Sequence, residues 1–308
     1  MKFTIFTGCY NSSNFIDRVF KSLKSQEYKN FEWIVIDDAS KDDTVKLLYQ
    51  FKNKNPTIDI KIIELKKNVG VAENRRRAIN MANGDFFITW DHDDIQLPNQ
   101  LAIFLENWNK LKTEKVANIF GFCQDQNGVI LGEQYPNGNH VSNYFIHYRK
   151  YFMTNIVKQE KHVCTLVNIL KKHINYTYPE GYKPNGEILW AKIALEYNSI
   201  FINDPVREYY IEDSNPNNMS SATRSEGAEN IYKTKNIWVN HFIKRMGHEP
   251  KLVLRLIFAQ TFYGFLSNRT LLSIIKDVNS IINKAIIFMM AVPAKLLLWK
   301  MKNSTKGL

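Results

Sequence analysis

Over the first hundred residues, short apolar runs alternate with segments of helical period, and three of the runs stop abruptly on polar clusters. Lys2–Thr7, Phe31–Asp37, Ile58–Leu65 and Asp85–Trp90 read as strands, with Ile34-Val35-Ile36 a β-branched stretch suited to burial. Between the first two, Phe15, Ile16, Val19, Phe20 and Leu23 recur at helical spacing. Ser40-Lys41-Asp42-Asp43 has the form of a capping box opening a helix that carries Val45, Leu48 and Phe51. A further helix over roughly 71–82 stops at Asn83-Gly84. Strand and helix alternating through short connections predict an α/β fold, a mostly parallel sheet flanked by helices.

In such sheets ligands bind beyond the carboxyl ends of the strands. That rule selects three loops at one edge: Gly8-Cys9-Tyr10-Asn11, Asp37-Asp38-Ala39-Ser40 and Asp91-His92-Asp93-Asp94. The last sets three carboxylates within four positions, where like charges repel unless a cation relieves them. Clustered carboxylate oxygens suit Mg²⁺ or Mn²⁺, which can bridge to phosphate oxygens. The structural alternative is that Asp94 caps the helix holding Leu97 and Leu101, but a cap needs one carboxylate and gains nothing from three. Alternation along an extended segment directs His92 away from Asp91 and Asp93. Asp37 and Asp38 either cap the next helix, for which Ser40 suffices, or accept hydrogen bonds from a base imide or a ribose hydroxyl. Arg75, Arg76 and Arg77 share a helix at steps of about 100° and cannot all serve one site, so Arg76 and Arg77 read as a solvated face. No GxGxxG, GKS/T, HExxH or GxSxG occurs, which leaves dehydrogenase, P-loop and hydrolase readings without local support.

From about 115 to 212 the signals mix. Residues 116–122 read as a strand, 124–128 as a turn and Ile188–Leu195 as a helix after Asn185-Gly186, while Ser199–Ile202 and Val206–Ile211 read as short strands. The polar stretch 213–227 is either a flap or a passive linker.

Charge divides the 308-residue chain more sharply than hydropathy does. Residues 1–234 hold 29 Lys and Arg against 28 Asp and Glu, whereas residues 235–308 hold 12 against 2, so nearly all of the net +11 lies in the last quarter. A boundary near residue 235 separates two solvation problems. Beyond it Leu271, Ile275, Val278, Ile282, Ala285, Met289, Val292, Leu296 and Trp299 recur at steps of four and three, and every position from Ala285 to Val292 is apolar. Pro293 is expected to break or kink this helix. A span needs ~20 apolar residues, and the run 285–299 is 15 long with a Pro and a Lys inside it. A helix lying in a membrane interface, its lysines against anionic headgroups, fits that pattern; the alternative is a dimerisation or core-covering helix. Three cysteines with no ligand spacing, and an N-terminal apolar stretch too short for a signal-peptide core, point to a reducing, cytoplasmic setting.

The ordered segments TGCYN, VIDDASKDDT, NVGVAENRRRAI and GDFFITWDHDDIQLP resemble the glycosyltransferase family 2 proteins of the GT-A fold. The corresponding family pattern is a strand ending in YN, then VDDGSxDxT, NxGxxxARNxGI and a DxDD cluster followed by Pro. The resemblance covers about the first hundred residues, weakens over 110–215 and is absent beyond 235. It implies a Rossmann-like GT-A domain over 1–234, with 1–105 binding a nucleotide sugar and 106–234 the acceptor, followed by a basic helical extension over 235–308. By position, Tyr10 would stack on the base, Asp38 would hold its imide or ribose with Asp37 adjacent, and Arg75 would lie near the base and phosphates. Asp91 and Asp93 match the aspartates at the sugar and diphosphate, and Asp94 would complete the metal site. Asn74 and Arg76 depart from the Ala and Asn of the family pattern. The family's later Glu-Asp pair corresponds to Gly186-Glu187, which makes Glu187 the base, with Asp213 and Glu180 as rivals. A carboxylate in a first helical turn is favoured in the ionised form such a role needs.

The resemblance thus implies a Mn²⁺- or Mg²⁺-dependent, inverting transfer of sugar from a UDP-sugar to a glycan acceptor. With a basic, lipid-seeking C-terminus, the acceptor is expected to be lipid-linked, and the protein peripheral on the inner face of the cell membrane. A homodimer through the C-terminal helix is a further expectation, and a nucleic-acid partner is not expected. Two other classes stay open: a nucleotidyltransferase, which usually carries a glycine-rich basic loop where this chain has GCYNSSN, and a non-catalytic nucleotide-sugar-binding protein lacking a working base.

Overall fold

The computed structural model describes residues 1–147, 161–174, 186–209, 224–246 and 249–304. Two compact units emerge: Met1–Tyr176 with Lys192–Ile211, and Thr177–Ala191 with Glu212–Leu308.

The nine strands among the described residues all belong to the first unit. They are β1 (Phe3–Cys9), β2 (Phe31–Asp37), β3 (Asp59–Glu64), β4 (Phe86–Thr89), β5 (Ile95–Gln96), β6 (Val116–Gln124), β7 (His140–Ser142), β8 (Lys161–Leu166) and β9 (Asn198–Glu208). The order is β3-β2-β1-β4-β8-β6-β9-β5, with β7 also on β9. β3, β2, β1 and β4 run parallel, in register Cys9 with Asp37 and Phe6 with Thr89, so their carboxyl ends share one edge. β2 is buried at every position, as its β-branched centre requires. Helices α1 (Asp17–Ser25), α2 (Thr44–Lys54) and α3 (Val71–Met81) connect these strands, with α4 (Gln100–Leu111), α5 (Tyr144–His147), α6 (Val167–His173) and α7 (Glu187–Ile193) later in the chain, and Ile16, Val19, Phe20 and Leu23 bury the apolar side of α1. The expected α/β architecture and mostly parallel sheet are present.

Several elements differ from the sequence reading. β8 lies mid-sheet and antiparallel to both β4 and β6, and no boundary signal in the sequence marked it. β9 is one strand, not two. Pro205, which lacks the N–H of a regular ladder, sits where the β6–β9 register shifts, opposite Phe122. Gly121 makes this possible, because a Cβ there would lie 2.7 Å from Val206. The N-cap position of α2 is Asp43, which makes no side-chain cap bond; the residue before it, Asp42, accepts from the Thr44 amide at 3.1 Å through Oδ1, while Ser40 is engaged elsewhere.

The second unit is helical. It contains α8 (Arg224–Ile237) and, after a π turn and a 3₁₀ turn, α9 (Pro250–Leu266), α10 (Leu271–Lys276) and α11 (Ile281–Ser304). The single helix expected from 271 is therefore two. The Asp277 side chain accepts from Tyr232 Oη at 2.7 Å and from Arg269 Nη1 at 3.0 Å, and the Asp277 carbonyl accepts from Asn240 at 2.8 Å, which fixes a turn there. Pro293 does not break α11; the helix runs through it, with the ring on an exposed face.

Candidate active site

The three loops predicted for one edge of the sheet lie at that edge, and the first two are bonded to each other. After β1, the Asn11 amide donates to Ser40 Oγ (2.9 Å) and Asn11 Oδ1 accepts from the Lys41 amide (2.8 Å). The Ser12 amide donates to Thr44 Oγ1 at 2.8 Å. These bonds staple the first loop to the second. Asn11 and Ala39 hold left-handed backbones, at φ 51° and 66°. For Ala39 this costs about 1 kcal/mol, and it stands where the family pattern has Gly. Burial alone would raise the Asp42 carboxyl, but hydrogen bonds from the Thr44 hydroxyl and the Ser13 amide prevail and hold it down to about 2. Burial, with Asp37 adding, pushes the Cys9 thiol far above its usual range, so it is no nucleophile.

The two aspartates that end β2 have different duties. Asp38 is buried and spends both oxygens on the chain, accepting from the amides of Val69 and Gly70 at 2.8 Å each and so shaping the entry to α3. Asp37 is also buried; its Oδ2 accepts from the Ser40 amide at 3.0 Å, whereas Oδ1 has no hydrogen-bond partner. A buried carboxylate oxygen left this way is costly unless something outside the chain donates to it. Tyr10 is exposed at the same edge. On α3, Arg75 is half-buried, while Arg76 and Arg77 pair with Glu73 at 2.7 and 3.0 Å on the outer face, as expected.

The acidic loop caps no helix. Asp94 leads into β5, whose Gln96 pairs with Arg207 of β9, and α4 (Gln100–Leu111) starts six residues later after Asn99. Beneath the loop, Trp90 Nε1 donates to Gln100 Oε1 at 2.8 Å, and Gln100 Nε2 donates to the Val206 carbonyl at 2.8 Å. His92 lies beside Phe15, with ring centroids 6.2 Å apart, but residues 92–93 form a turn and not the extended segment on which the alternation argument rested. The Asp93 carbonyl accepts from Arg18 Nη1 at 2.6 Å.

Sequence reasoning missed Arg207. This buried arginine, near the carboxyl end of β9, places Nη1 3.0 Å from Asp91 Oδ2 and 3.4 Å from Asp94 Oδ2. A guanidinium there answers the repulsion that the sequence assigned to a metal alone. Its charge acts further: burial first, and Arg207 second, push His162 well below the imidazole range, leaving it neutral. The only available signal was an arginine closing an apolar strand. Asp94 is buried against Arg207, whereas the Asp91 side chain is 49% exposed and Asp93 is half-buried. No group of three or more His, Cys, Asp or Glu side chains converges among the described residues. The fit to Mg²⁺ or Mn²⁺ would therefore rest on Asp91, which is exposed, and Asp93, which is half-buried, the pattern in which substrate phosphates and water supply the remaining oxygens.

Glu187 opens α7 (Glu187–Ile193) and belongs to the second unit, where its Oε1 lies 3.5 Å from Lys235 Nζ. Gly186 before it has φ 78°, and a Cβ there would meet the Trp190 ring at 3.2 Å. That is why glycine, and not a second acid, stands in this place. The rival bases Glu180 and Asp213, and the polar stretch up to residue 223, lie outside the described residues.

A parallel half-sheet with a carboxylate-rich edge, nine strands and this helix order define an α/β fold of the GT-A type. Staphylococcus aureus TarS 1–349, solved with UDP-GlcNAc, shares it at a TM-score of 0.62 and 17% identity over 96% of this chain and 89% of that one. The mannosyltransferase PcManGT of Pyrobaculum calidifontis, solved with GDP-Man and Mn²⁺, matches at 0.58 and 18% over 98% and 82%. The family model for glycosyl transferase family 2 matches residues 4–171, and the chain belongs to that family. A Haemophilus influenzae protein described as an uncharacterized glycosyltransferase is 23% identical over 91% of this chain and 86% of its own length. Further relatives match over 30–34% of this chain and 27–38% of theirs. The protein is a glycosyltransferase.

Proposed function

We propose that this glycosyltransferase moves a sugar, with inversion, from a UDP-sugar to a lipid-linked glycan at the inner face of the cell membrane, and that it depends on Mn²⁺ or Mg²⁺. The observation that carries the donor half is the carboxyl edge of the sheet, where Asp91, bonded to Arg207 yet 49% exposed, stands beside half-buried Asp93, while Asp94 is buried against the same arginine. Asp91 and Asp93 would hold the ion, which when bound supplies positive charge against the departing diphosphate. Tyr10 offers its ring to the base. Asp37 Oδ1 is a ready acceptor for an imide N–H or a ribose hydroxyl beside Asp38, and Arg75 serves the phosphates. Residues 1–105 take the donor, 106–234 the acceptor, and the extension over 235–308 meets the membrane.

Glu187 takes the proton of the acceptor hydroxyl. The acceptor oxygen bonds to the anomeric carbon from the face opposite the nucleotide, and the carbon–diphosphate bond breaks with its electron pair leaving on UDP. Lys235 pairs with Glu187 and fixes where that carboxylate sits. The reading for UDP follows TarS and that for Mn²⁺ follows PcManGT.

Thermal-shift measurements with UDP, GDP and dTDP, each with Mn²⁺ and with EDTA, test the donor half. UDP with Mn²⁺ should stabilise most, by about 2.7 kcal/mol at a hundred times its Kd; equal stabilisation in chelator removes the metal from the mechanism. Glu187→Gln should keep UDP affinity and lose transfer by roughly 10²–10⁴-fold. An active Glu187→Gln enzyme would place the base elsewhere.

A further inference from the structure

We infer that the outer face of α11 is a docking surface for an anionic lipid bilayer, on which the helix lies in plane and does not cross; this deepens, and rests on, the membrane-bound acceptor proposed above. At 24 residues α11 is ~36 Å long. By length and composition alone, Ile281–Asn303 is sufficient to span a membrane. Two observations turn it into the plane.

The first is the division of its faces. Asn283, Ile287, Ala291 and Ala294 follow at steps of four and three and are buried within the second unit, where α11 packs on α9 and α10. On the opposite side Ile281, Phe288, Met289, Val292, Leu296 and Trp299 lie open, with Ile281 83% and both Phe288 and Trp299 67% exposed. The expected heptad-like stripe is thus real, but over α11 it faces outward, and other residues cover the core. Just before the helix Arg269 joins Glu229 at 2.7 Å and Asp277 at 3.0 Å.

The second is where the lysines fall. At about 100° per residue, Lys284, Lys295 and Lys302 line one margin of the open stripe and Lys300 the other. Lysines in that position lay their stems along an apolar face and lift the ammonium to headgroup level. Lys295 Nζ already lies 5.2 Å from the Phe265 ring of α9. Crossing would instead put Lys295 ~5 Å from the middle of the span, deep in hydrocarbon. It would also strip Ile287 and Ala294 from α9. Charge complementarity selects the occupant. No Asp or Glu follows Asp277, so a second copy packed through this same face would bring more lysine to these margins, whereas anionic headgroups answer them.

The test uses the full chain and preformed vesicles. The protein should float with phosphatidylcholine vesicles carrying about 30 mol% phosphatidylglycerol, and several-fold less with pure phosphatidylcholine or in 0.5 M salt. The triple variant Phe288→Ser, Val292→Ser, Leu296→Ser changes exposed positions only. It should keep its circular dichroism and UDP affinity yet lose at least about tenfold in vesicle partition. Asn279→Cys and Asn303→Cys, one at each end of α11, should react equally with an impermeant thiol reagent on vesicle-bound protein, since the three native cysteines are buried. Protection of one end would mean a crossing helix. Unchanged flotation of the triple variant overturns the surface, as does a vesicle-indifferent dimer that the variant turns into monomer. UDP binding reports on the donor site separately, so loss of one reading leaves the other measurable.

Discussion

The two ends of the parallel strands handle charge in opposite ways. At the amino end Glu32 is fully buried, yet its oxygens are saturated by the chain: Lys61 Nζ at 2.6 Å, Thr4 Oγ1 at 2.7 Å and the Asn83 amide at 2.6 Å. Burial alone would raise its pKa, but the bonds from Lys61, Thr4 and Asn83 prevail and lower it. At the carboxyl end Asp37 keeps an oxygen without a partner, Asp91 is half open to solvent, and Asn11 and Ala39 carry left-handed backbone. One edge is finished by its own sequence; the other holds acceptors and strain in reserve. Reserve of this kind marks a place where something from outside completes the bonding.

Substitutions at the two edges should therefore fail in different assays. Asp93→Asn should cost transfer on the order of 10²–10³-fold while moving the urea midpoint little. If it instead unfolds the protein, the carboxyl edge is structural as well. Glu32→Ala should do the reverse, costing roughly 2–3 kcal/mol in urea denaturation with the kcat of the remaining folded enzyme intact. The pH sign follows from the lowered pKa. Glu32 adds stability above its unfolded value of about 4.3, and that share disappears as pH falls through the folded value. The variant should thus lose its disadvantage in acid. Arg207→Met should sharpen the contrast by removing the built-in counter-charge of Asp91 and Asp94. A loss of about 2 kcal/mol is expected, together with a larger thermal shift on adding Mn²⁺ than the native protein shows. An unchanged Mn²⁺ response would mean that Arg207 and the ion do not share these carboxylates. Smallest of all, Ala39→Gly should add no more than about 0.5 kcal/mol, because the ~1 kcal/mol of left-handed strain released is partly offset by glycine's greater entropy in the unfolded chain. A loss there would show that the loop is not strained.

Much of the first half of the fold was legible because its signals are local. β1 to β4 and α1 to α3 follow from runs and periods of a few residues, and the ligand edge follows from chain direction alone. β8 was illegible because residues 161–166 have no turn signal before them, and their place in the sheet depends on pairing with β4 and β6. Pro205 was read as a break because its neighbour's glycine, Gly121, lies 84 positions away in sequence.

For the site, the residue types and the edge they occupy were written in the sequence: Tyr10, Asp37, Asp38, Arg75, Asp91, Asp93 and Asp94 stand in four ordered motifs. Their division of labour was not. Asp38 became a brace for α3, and Asp94 a partner of an arginine 113 positions away. In the same way, periodicity found the apolar stripe of the last helix, and only packing on α9 decided which side of it stayed open. Motifs record what a residue can bind, because that is a property of the side chain. Whether the chain has already used that capacity depends on contacts between distant segments, which exist only once the fold has brought them together.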